Sequence, residues 1–210
     1  MILPTWSNLP SIKVWPKSVV VLQLLVGDGA LAESERAQQL DPLSLIITAD
    51  RGAILYFSRQ YDRAIEQLQT VLRKDPNFGR AGGLLVYAYI EKGMFEEALN
   101  ESEKVGRLYG EGPWRWMVLA YIYGRAGQVE RARRELEKLE RLSRREQMSP
   151  ETMLWAHLGL GDKEEALADL EKLYSGHFGF LATLKVDPAF DPLRGESSLP
   201  GPNAARGLSG

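Results

Sequence analysis

Apolar residues follow the spacing of amphipathic helices along most of this chain, and the helices come in pairs. In residues 77–109, a dense apolar stretch at 84–90 stops at Gly93, and a second helix then places Ala98 and Val105 on one face. Apolar side chains three, four and seven positions apart share one side of a helix. The same succession of apolar helix, short turn and amphipathic helix returns before and after this unit. The pattern predicts an all-α protein built from helix pairs.

A small residue in the second helix of each pair returns at a fixed interval. Alanines are spaced by 34 residues at Ala30, Ala64, Ala98, Ala132 and Ala166. Glycines at the end of the first helix keep the same interval at Gly93, Gly127 and Gly161. A fixed period of this length is the signature of stacked helix–turn–helix units, because one helix pair cannot bury its apolar faces alone. We therefore expect a solenoid of about five repeats.

Prolines mark the boundaries of these repeats. Asp41-Pro42 and Asp75-Pro76 each close a unit, because proline cannot continue a helix. Ser149-Pro150 opens the fifth unit with a capping residue and a first-turn proline, and Pro16 opens a first helix over about 17–26. The predicted repeats are about 16–42, 43–76, 77–112, 113–148 and 149–176, followed by a short capping segment at 177–194.

The two ends of the chain differ from the repeats. Residues 1–15 contain proline and tryptophan without a helical period, so we expect a loose lead-in. Residues 195–210 are rich in Gly, Ser and Pro and have almost nothing to bury, so this tail should be disordered. The predicted solenoid spans 16–194.

Charge and cysteine content narrow the choice of partner. The net charge is −2, which argues against a nucleic-acid binder because such proteins usually have a basic surplus. The chain has no cysteine, which excludes disulfides and thiolate metal sites. The basic residues of 131–145 alternate with glutamates, and acid–base pairs four apart such as Glu137 with Arg141 indicate a solvated helix face. The sequence therefore predicts a protein or peptide partner and no nucleic acid.

The apolar run at 19–26 is too short to span a membrane, which takes about 20 residues. We therefore expect no membrane association and a cytoplasmic location. One alternative stays open, because Lys13 and Lys17 precede the run and small residues follow it, as in a secretory signal peptide.

The residues at the repeat positions resemble the tetratricopeptide repeat family. The fourth repeat offers a bulky residue at Trp116, Leu119 with Ala120, Tyr123 in the first helix and Ala132 in the second. The resemblance covers about residues 16–175. It implies a right-handed α-α superhelix that acts as a non-catalytic scaffold and binds a peptide or partner protein in its concave groove.

A narrower resemblance concerns the segments between and after the repeats. Asp41-Pro42-Leu43-Ser44, Ser149-Pro150 and the closing segment 184–194 look like bacterial signalling proteins with C-terminal tetratricopeptide regions. In those proteins the repeats follow a winged-helix, kinase or cyclase domain. This resemblance implies the sensor or docking part of a signalling or transcription-regulatory system, and it leaves open that the chain is a truncated fragment of a larger regulator.

The sequence also contains one pattern that favours an enzyme. Gly27-Asp28-Gly29 fits a phosphate-binding loop between a strand-like run at 19–26 and a helix. Residues 45–48 would then form a second strand, with Asp50 placed for a ribose hydroxyl. The same glycines also occupy the turn of the first repeat, so the dinucleotide-binding enzyme is the alternative and not the main prediction.

The rest of the sequence contains few residues in a pattern typical of catalysis or metal binding. His157 and His177 have no acidic residue at ligand spacing, and His157 lies beside Trp155 in an apolar helix. A packed core histidine is therefore the favoured interpretation of His157. We expect no enzyme, no cofactor and no metal.

An aromatic row supplies the candidate binding residues. Tyr87, Tyr121 and Trp155 are spaced by 34 residues, at the first-helix position that faces the concave groove in the resembling family. Aromatic and Arg side chains often provide most of the affinity of an interface. The alternative is that these rings pack between successive repeats. With their neighbours, the candidates are Tyr56, Tyr87, Met117, Tyr121, Arg125 and Trp155.

Overall fold

The computed structural model describes residues 28–110, 112–146, 148–175, 184 and 186–194. These residues contain α-helices, 3-10 turns and no β-strand, so the predicted all-α fold class is confirmed. The helices are α1 (Asp28–Leu40), α2 (Leu45–Phe57), α3 (Tyr61–Lys74), α4 (Gly79–Glu91), α5 (Phe95–Tyr109), α6 (Pro113–Arg125), α7 (Val129–Ser143), α8 (Pro150–Leu160) and α9 (Lys163–Ser175). A 3-10 helix (Pro188–Leu193) follows them.

The chain divides into two compact units between Arg115 and Trp116, within α6. In the first unit each helix from α1 to α5 packs on the next, and α2 also packs on α4. In the second unit α7 packs on α8, α8 on α9, and α9 on the 3-10 helix. Each unit therefore has the stacked helix pairs of a helical repeat.

The repeated alanines occupy the centre of the packing. Ala30 is 2% exposed, and the alanines at 64, 98, 132 and 166 are 0% exposed. Protein interiors are close-packed, so a larger side chain at these positions would push the helices apart. The period of 34 read from the sequence therefore coincides with fully or almost fully buried positions of the second helices.

The repeated glycines end the first helices in the left-handed conformation. Gly93, Gly127 and Gly161 have φ angles of 72°, 73° and 77°. The N–H of Gly93 donates to the carbonyl of Ile90, as expected for a helix that closes with a left-handed residue. The equivalent position in the second repeat is Arg59, with φ of 59°. A non-glycine residue there marks the least ideal turn of the described repeats.

We expect Gly93→Ala and Gly127→Ala each to lower the free energy of unfolding by about 1 kcal/mol, because a β-carbon is strained at positive φ. Gly29→Ala is the matched control, since this glycine lies in α1 with open space around it. The control should be neutral or slightly stabilising. Urea unfolding of the three variants checks this. Equal stability of all three would contradict the assignment of the turn glycines.

Side-chain caps begin two of the first helices. The Ser149 hydroxyl accepts from the N–H of Glu151 at 3.3 Å, and Pro150 occupies the first turn of α8. The Ser44 hydroxyl accepts from the N–H of Ile47 at 3.3 Å at the start of α2. The predicted opening at Ser149-Pro150 is therefore confirmed.

The segment after α9 is held by its own polar contacts. The Asp187 carboxylate accepts from the N–H of Ala189 at 3.0 Å and starts the 3-10 helix. The Arg194 guanidinium donates to the carbonyl of Asp187 at 2.7 Å. Phe190 and Leu193 are buried, so this element covers apolar surface at the end of the second unit.

The second strand at 45–48, which the dinucleotide-binding alternative requires, is contradicted, because these residues form the first turn of α2. Ser44 caps that turn, and the apolar residues that follow continue the helix to Phe57. Asp28 and Gly29 are the first residues of α1. Gly27 and the run at 19–26 lie outside the described residues. The described part of the chain thus has helices where the dinucleotide site requires its second strand.

Candidate partner-binding site

The candidate residues of the first unit are buried. Tyr56 lies near the end of α2, and its ring packs against Phe57 at 5.2 Å and against Tyr61 at 5.9 Å between centroids. Tyr61 begins α3, so these rings join the two helices of one repeat. Tyr87 lies in the middle of α4, and every residue from Ala81 to Ile90 is buried. In this unit both tyrosines contribute to the core.

The aromatic candidates of the second unit pack on one another. The rings of Tyr121 and Trp155 meet edge to face, with centroids 5.4 Å apart and an interplanar angle of 86°. The ring of Trp155 also contacts Phe190 of the 3-10 helix at 5.9 Å. Met117, one turn before Tyr121 on α6, is buried as well. These contacts support the interpretation in which the rings pack between successive repeats, and the predicted role in binding stays a prediction.

Arg125 differs from the other candidates because its side chain is only half-buried. It is the last residue of α6, and its guanidinium donates to the Tyr121 hydroxyl at 2.8 Å. The guanidinium also lies 5.6 Å from the centroid of the Tyr121 ring, within the range of a cation–π interaction. The cation is thus held in one orientation at the edge of the buried aromatic row.

Glu151 was not among the predicted site residues, although it lies one turn before Trp155 on α8. Its carboxyl hydrogen-bonds to the Trp155 side chain, and burial raises the pKa of Glu151 from 4.5 to about 7. The carboxyl therefore changes its charge near neutral pH, at the same aromatic row that Arg125 borders. In the sequence, Glu151 is only an acidic residue in the first turn of a helix. Such residues are common and usually exposed, so nothing in the sequence indicated that this one is buried.

An ion pair connects the first helices of two neighbouring repeats in the first unit. Asp50 on α2 pairs with Arg80 on α4, and both side chains are largely buried. Burial raises the pKa of the Asp50 carboxyl even though Arg80 opposes the shift, and burial lowers the pKa of Arg80. Desolvation thus outweighs the attraction within the pair, so this ion pair contributes little net stability to the fold.

His157 has an acidic partner that the sequence analysis missed. Its Nδ1 lies 2.8 Å from an oxygen of Asp169, and both residues are buried. Lys172 donates to the other oxygen of Asp169 at 2.8 Å. Twelve residues separate His157 from Asp169, so the pair forms only when α8 and α9 fold against each other. The interpretation of His157 as a packed histidine is confirmed, and its acidic partner comes from outside the ligand spacing that the sequence was searched for.

The charged face of α7 is exposed, as its pattern predicted. Glu137 and Arg141 form the expected pair at 3.8 Å, and Lys138 pairs with Glu135 at 2.7 Å. Arg133 pairs with Asp162, in the turn between α8 and α9, at 3.5 Å. Ion pairs at exposed positions contribute little to stability, so this face is mainly a solvated surface.

Neither a cluster of metal ligands nor a membrane-spanning helix is found in the described ranges. In those ranges no three side chains from His, Asp and Glu come together as metal ligands. Over the same residues, each helix is too short or too polar to cross a bilayer.

Comparison with known proteins agrees with the repeat architecture. Residues 55–109 match the model of the tetratricopeptide repeat family. The structure is similar to that of TTC0263, a thermophilic tetratricopeptide protein of Thermus thermophilus, with a TM-score of 0.56 and 20% sequence identity. The match covers 77% of this chain and 89% of TTC0263. No curated protein matches the chain significantly.

These matches confirm the tetratricopeptide-like fold that the repeat positions implied. The likeness to winged-helix, kinase and cyclase proteins stays a prediction, since neither match concerns such a protein.

Proposed function

We propose that this chain, with its tetratricopeptide-like fold, is a non-catalytic scaffold that binds a peptide or a partner protein along the first helices of its repeats. The match of residues 55–109 to the repeat family supports an interaction role. The first helices offer the candidate side chains, whereas α7 presents a solvated charged face. Within each compact unit, stacked repeats place successive first helices side by side, which gives an extended partner a surface to follow.

The observation that carries the proposal is the position of Arg125. Its guanidinium is half-buried and held against Tyr121 by a hydrogen bond of 2.8 Å. An arginine fixed at the edge of an aromatic cluster loses little freedom when a partner binds, and Arg is among the residues that dominate interface energies. The buried rings of Tyr121 and Trp155 orient this cation, so their contribution to binding is mostly indirect.

The test is to capture a partner with the full chain and to measure its affinity for Arg125→Ala. We expect binding to weaken by about tenfold, because an arginine anchor contributes more than about 1 kcal/mol. Arg141→Ala is the matched control, since it removes the same side chain from the exposed face of α7. Far-ultraviolet circular dichroism verifies that both variants keep their helices. Equal affinities for the two variants would overturn the assignment of Arg125.

A finer part of the proposal concerns the partner. The likeness of the inter-repeat and closing segments to bacterial signalling proteins supports a docking or sensor role. A captured partner that carries a winged-helix, kinase or cyclase domain is the expected result. A partner with none of these domains would remove the signalling role and leave the scaffold function in place.

A further inference from the structure

The carboxyl of Glu151 is largely surrounded by protein, and no cation of the described residues neutralises it. It accepts a hydrogen bond from the Trp155 side chain, one turn further along α8, and burial raises its pKa to about 7. The ion pairs that the described part of α7, α8 and α9 forms do not include Glu151. Charged groups inside proteins are normally paired with an opposite charge, so the missing cation is unusual.

The start of α8 does not need this carboxyl as a cap. The Ser149 hydroxyl already accepts from the N–H of Glu151 at 3.3 Å, and the Ser149 carbonyl accepts from the N–H of Thr152 at 3.0 Å. Pro150, between them, has no N–H to satisfy. The ionised carboxyl therefore lowers stability near neutral pH without completing the helix start. A residue with this combination is a candidate for function.

Glu151 also lies at one end of the aromatic row of the second unit. Tyr121 and Trp155 are only 1% and 3% exposed, whereas Glu151 and Arg125 each keep part of their surface exposed. The polar groups of this row that a partner can reach thus include one acid and one base. The Arg125 guanidinium is bonded to the Tyr121 hydroxyl. The Glu151 carboxylate has no counter-charge within the described residues.

From this arrangement we infer that Glu151 recognises a basic side chain, Lys or Arg, of the partner at the Trp155 end of the aromatic row. The inference rests on the proposed scaffold function and adds the charge that the partner presents at one position. A cation at the exposed part of the carboxylate supplies the attraction that the free chain lacks, and charges attract more strongly at a partly buried site than in open solvent. The hydrogen bond from Trp155 already holds the carboxyl in place, so little freedom is lost on binding.

Selection from a phage-displayed library of short random peptides tests this inference without a known partner. The full chain, the Glu151→Gln variant and the Glu137→Gln variant are each used for selection. Glutamine still accepts the hydrogen bond from Trp155, and Glu137→Gln removes the same charge from the exposed face of α7. We expect peptides selected by the natural chain and by Glu137→Gln to share a Lys or Arg at one aligned position. Peptides selected by Glu151→Gln should lack this preference.

A double-mutant cycle then measures the contact itself. Exchange of the shared basic residue of a selected peptide for glutamine should weaken binding to the natural chain by about tenfold, and to the Glu151→Gln chain by less than about twofold. Equal losses for the two chains would overturn the role of Glu151. Selected peptides without a common basic residue would also overturn it and would leave the scaffold function in place. A natural chain that selects no peptide would count against both proposals.

Discussion

Gly159→Ala should lower the free energy of unfolding by about 3 kcal/mol, the upper range for overpacking a well-packed site. A β-carbon at Gly159 on α8 would collide with Cα of Tyr121 on α6 and lie 2.9 Å from its carbonyl oxygen. Backbone atoms cannot rotate away as a side chain does. The collision therefore separates the two helices and disturbs the contact between the rings of Tyr121 and Trp155.

The reciprocal substitution should act in the same way. A β-carbon at Gly124 would collide with the backbone of Gly159, so Gly124→Ala is also expected to destabilise the second unit. Gly106→Ala is the control, because a β-carbon there meets only the end of the Arg115 side chain at 3.3 Å. Alanine is the better helix former, so the control should gain up to about 1 kcal/mol. Urea unfolding distinguishes these cases, and a Gly159→Ala protein as stable as the control would refute the close approach.

The stability of the protein should fall as pH rises from 4.5 to about 7, and Glu151→Gln should remove most of this fall. In the folded chain the pKa of Glu151 is raised from 4.5 to about 7 by burial. Between these two values the unfolded chain loses the proton and the folded chain keeps it, so the free energy of unfolding decreases with pH. Below 4.5 both states are protonated, and above 7 the loss is complete.

The size of this fall in stability follows from the difference between the pKa of Glu151 in the folded chain and in the unfolded chain. A pKa difference of this size lowers the free energy of unfolding by at most about 3 kcal/mol at about pH 8. Glutamine keeps an oxygen that accepts the hydrogen bond from Trp155 and carries no charge. Glu151→Gln should therefore be more stable than the natural chain at about pH 8 and similar to it at about pH 4. Urea unfolding at a series of pH values measures how the free energy of unfolding of each protein changes with pH. Parallel stability curves for the two proteins would contradict the raised pKa.

The helix pairs could be predicted from the sequence because every repeat has the same packing requirements. Each repeat needs a small residue where its helices pack and a tight turn where its first helix ends. The alanines and glycines that meet these needs therefore recur at an interval of 34 residues. α7 (Val129–Ser143) lies within the predicted fourth repeat and carries the charged face that its acid–base pairs indicated. The serine and proline at the start of α8 indicated its first turn in the same way.

The contacts that the sequence missed occur once each and depend on tertiary packing. Gly124 and Gly159 are 35 residues apart, so their contact does not follow the repeat interval. Asp169 meets His157 only after two helices fold together. Glu151 looked like an ordinary first-turn carboxylate until burial beside Trp155 changed its pKa. The aromatic row was recognised from its spacing, but spacing does not tell a packed ring from a binding ring.

Hydrogen exchange of the full chain, with and without a captured partner protein, tests the scaffold account most directly. If the partner lies along the first helices, α6 and α8 should exchange more slowly in the complex, and α7, whose charged face is exposed, should be unchanged. Protection confined to α7, with α6 and α8 unaffected, would contradict the account.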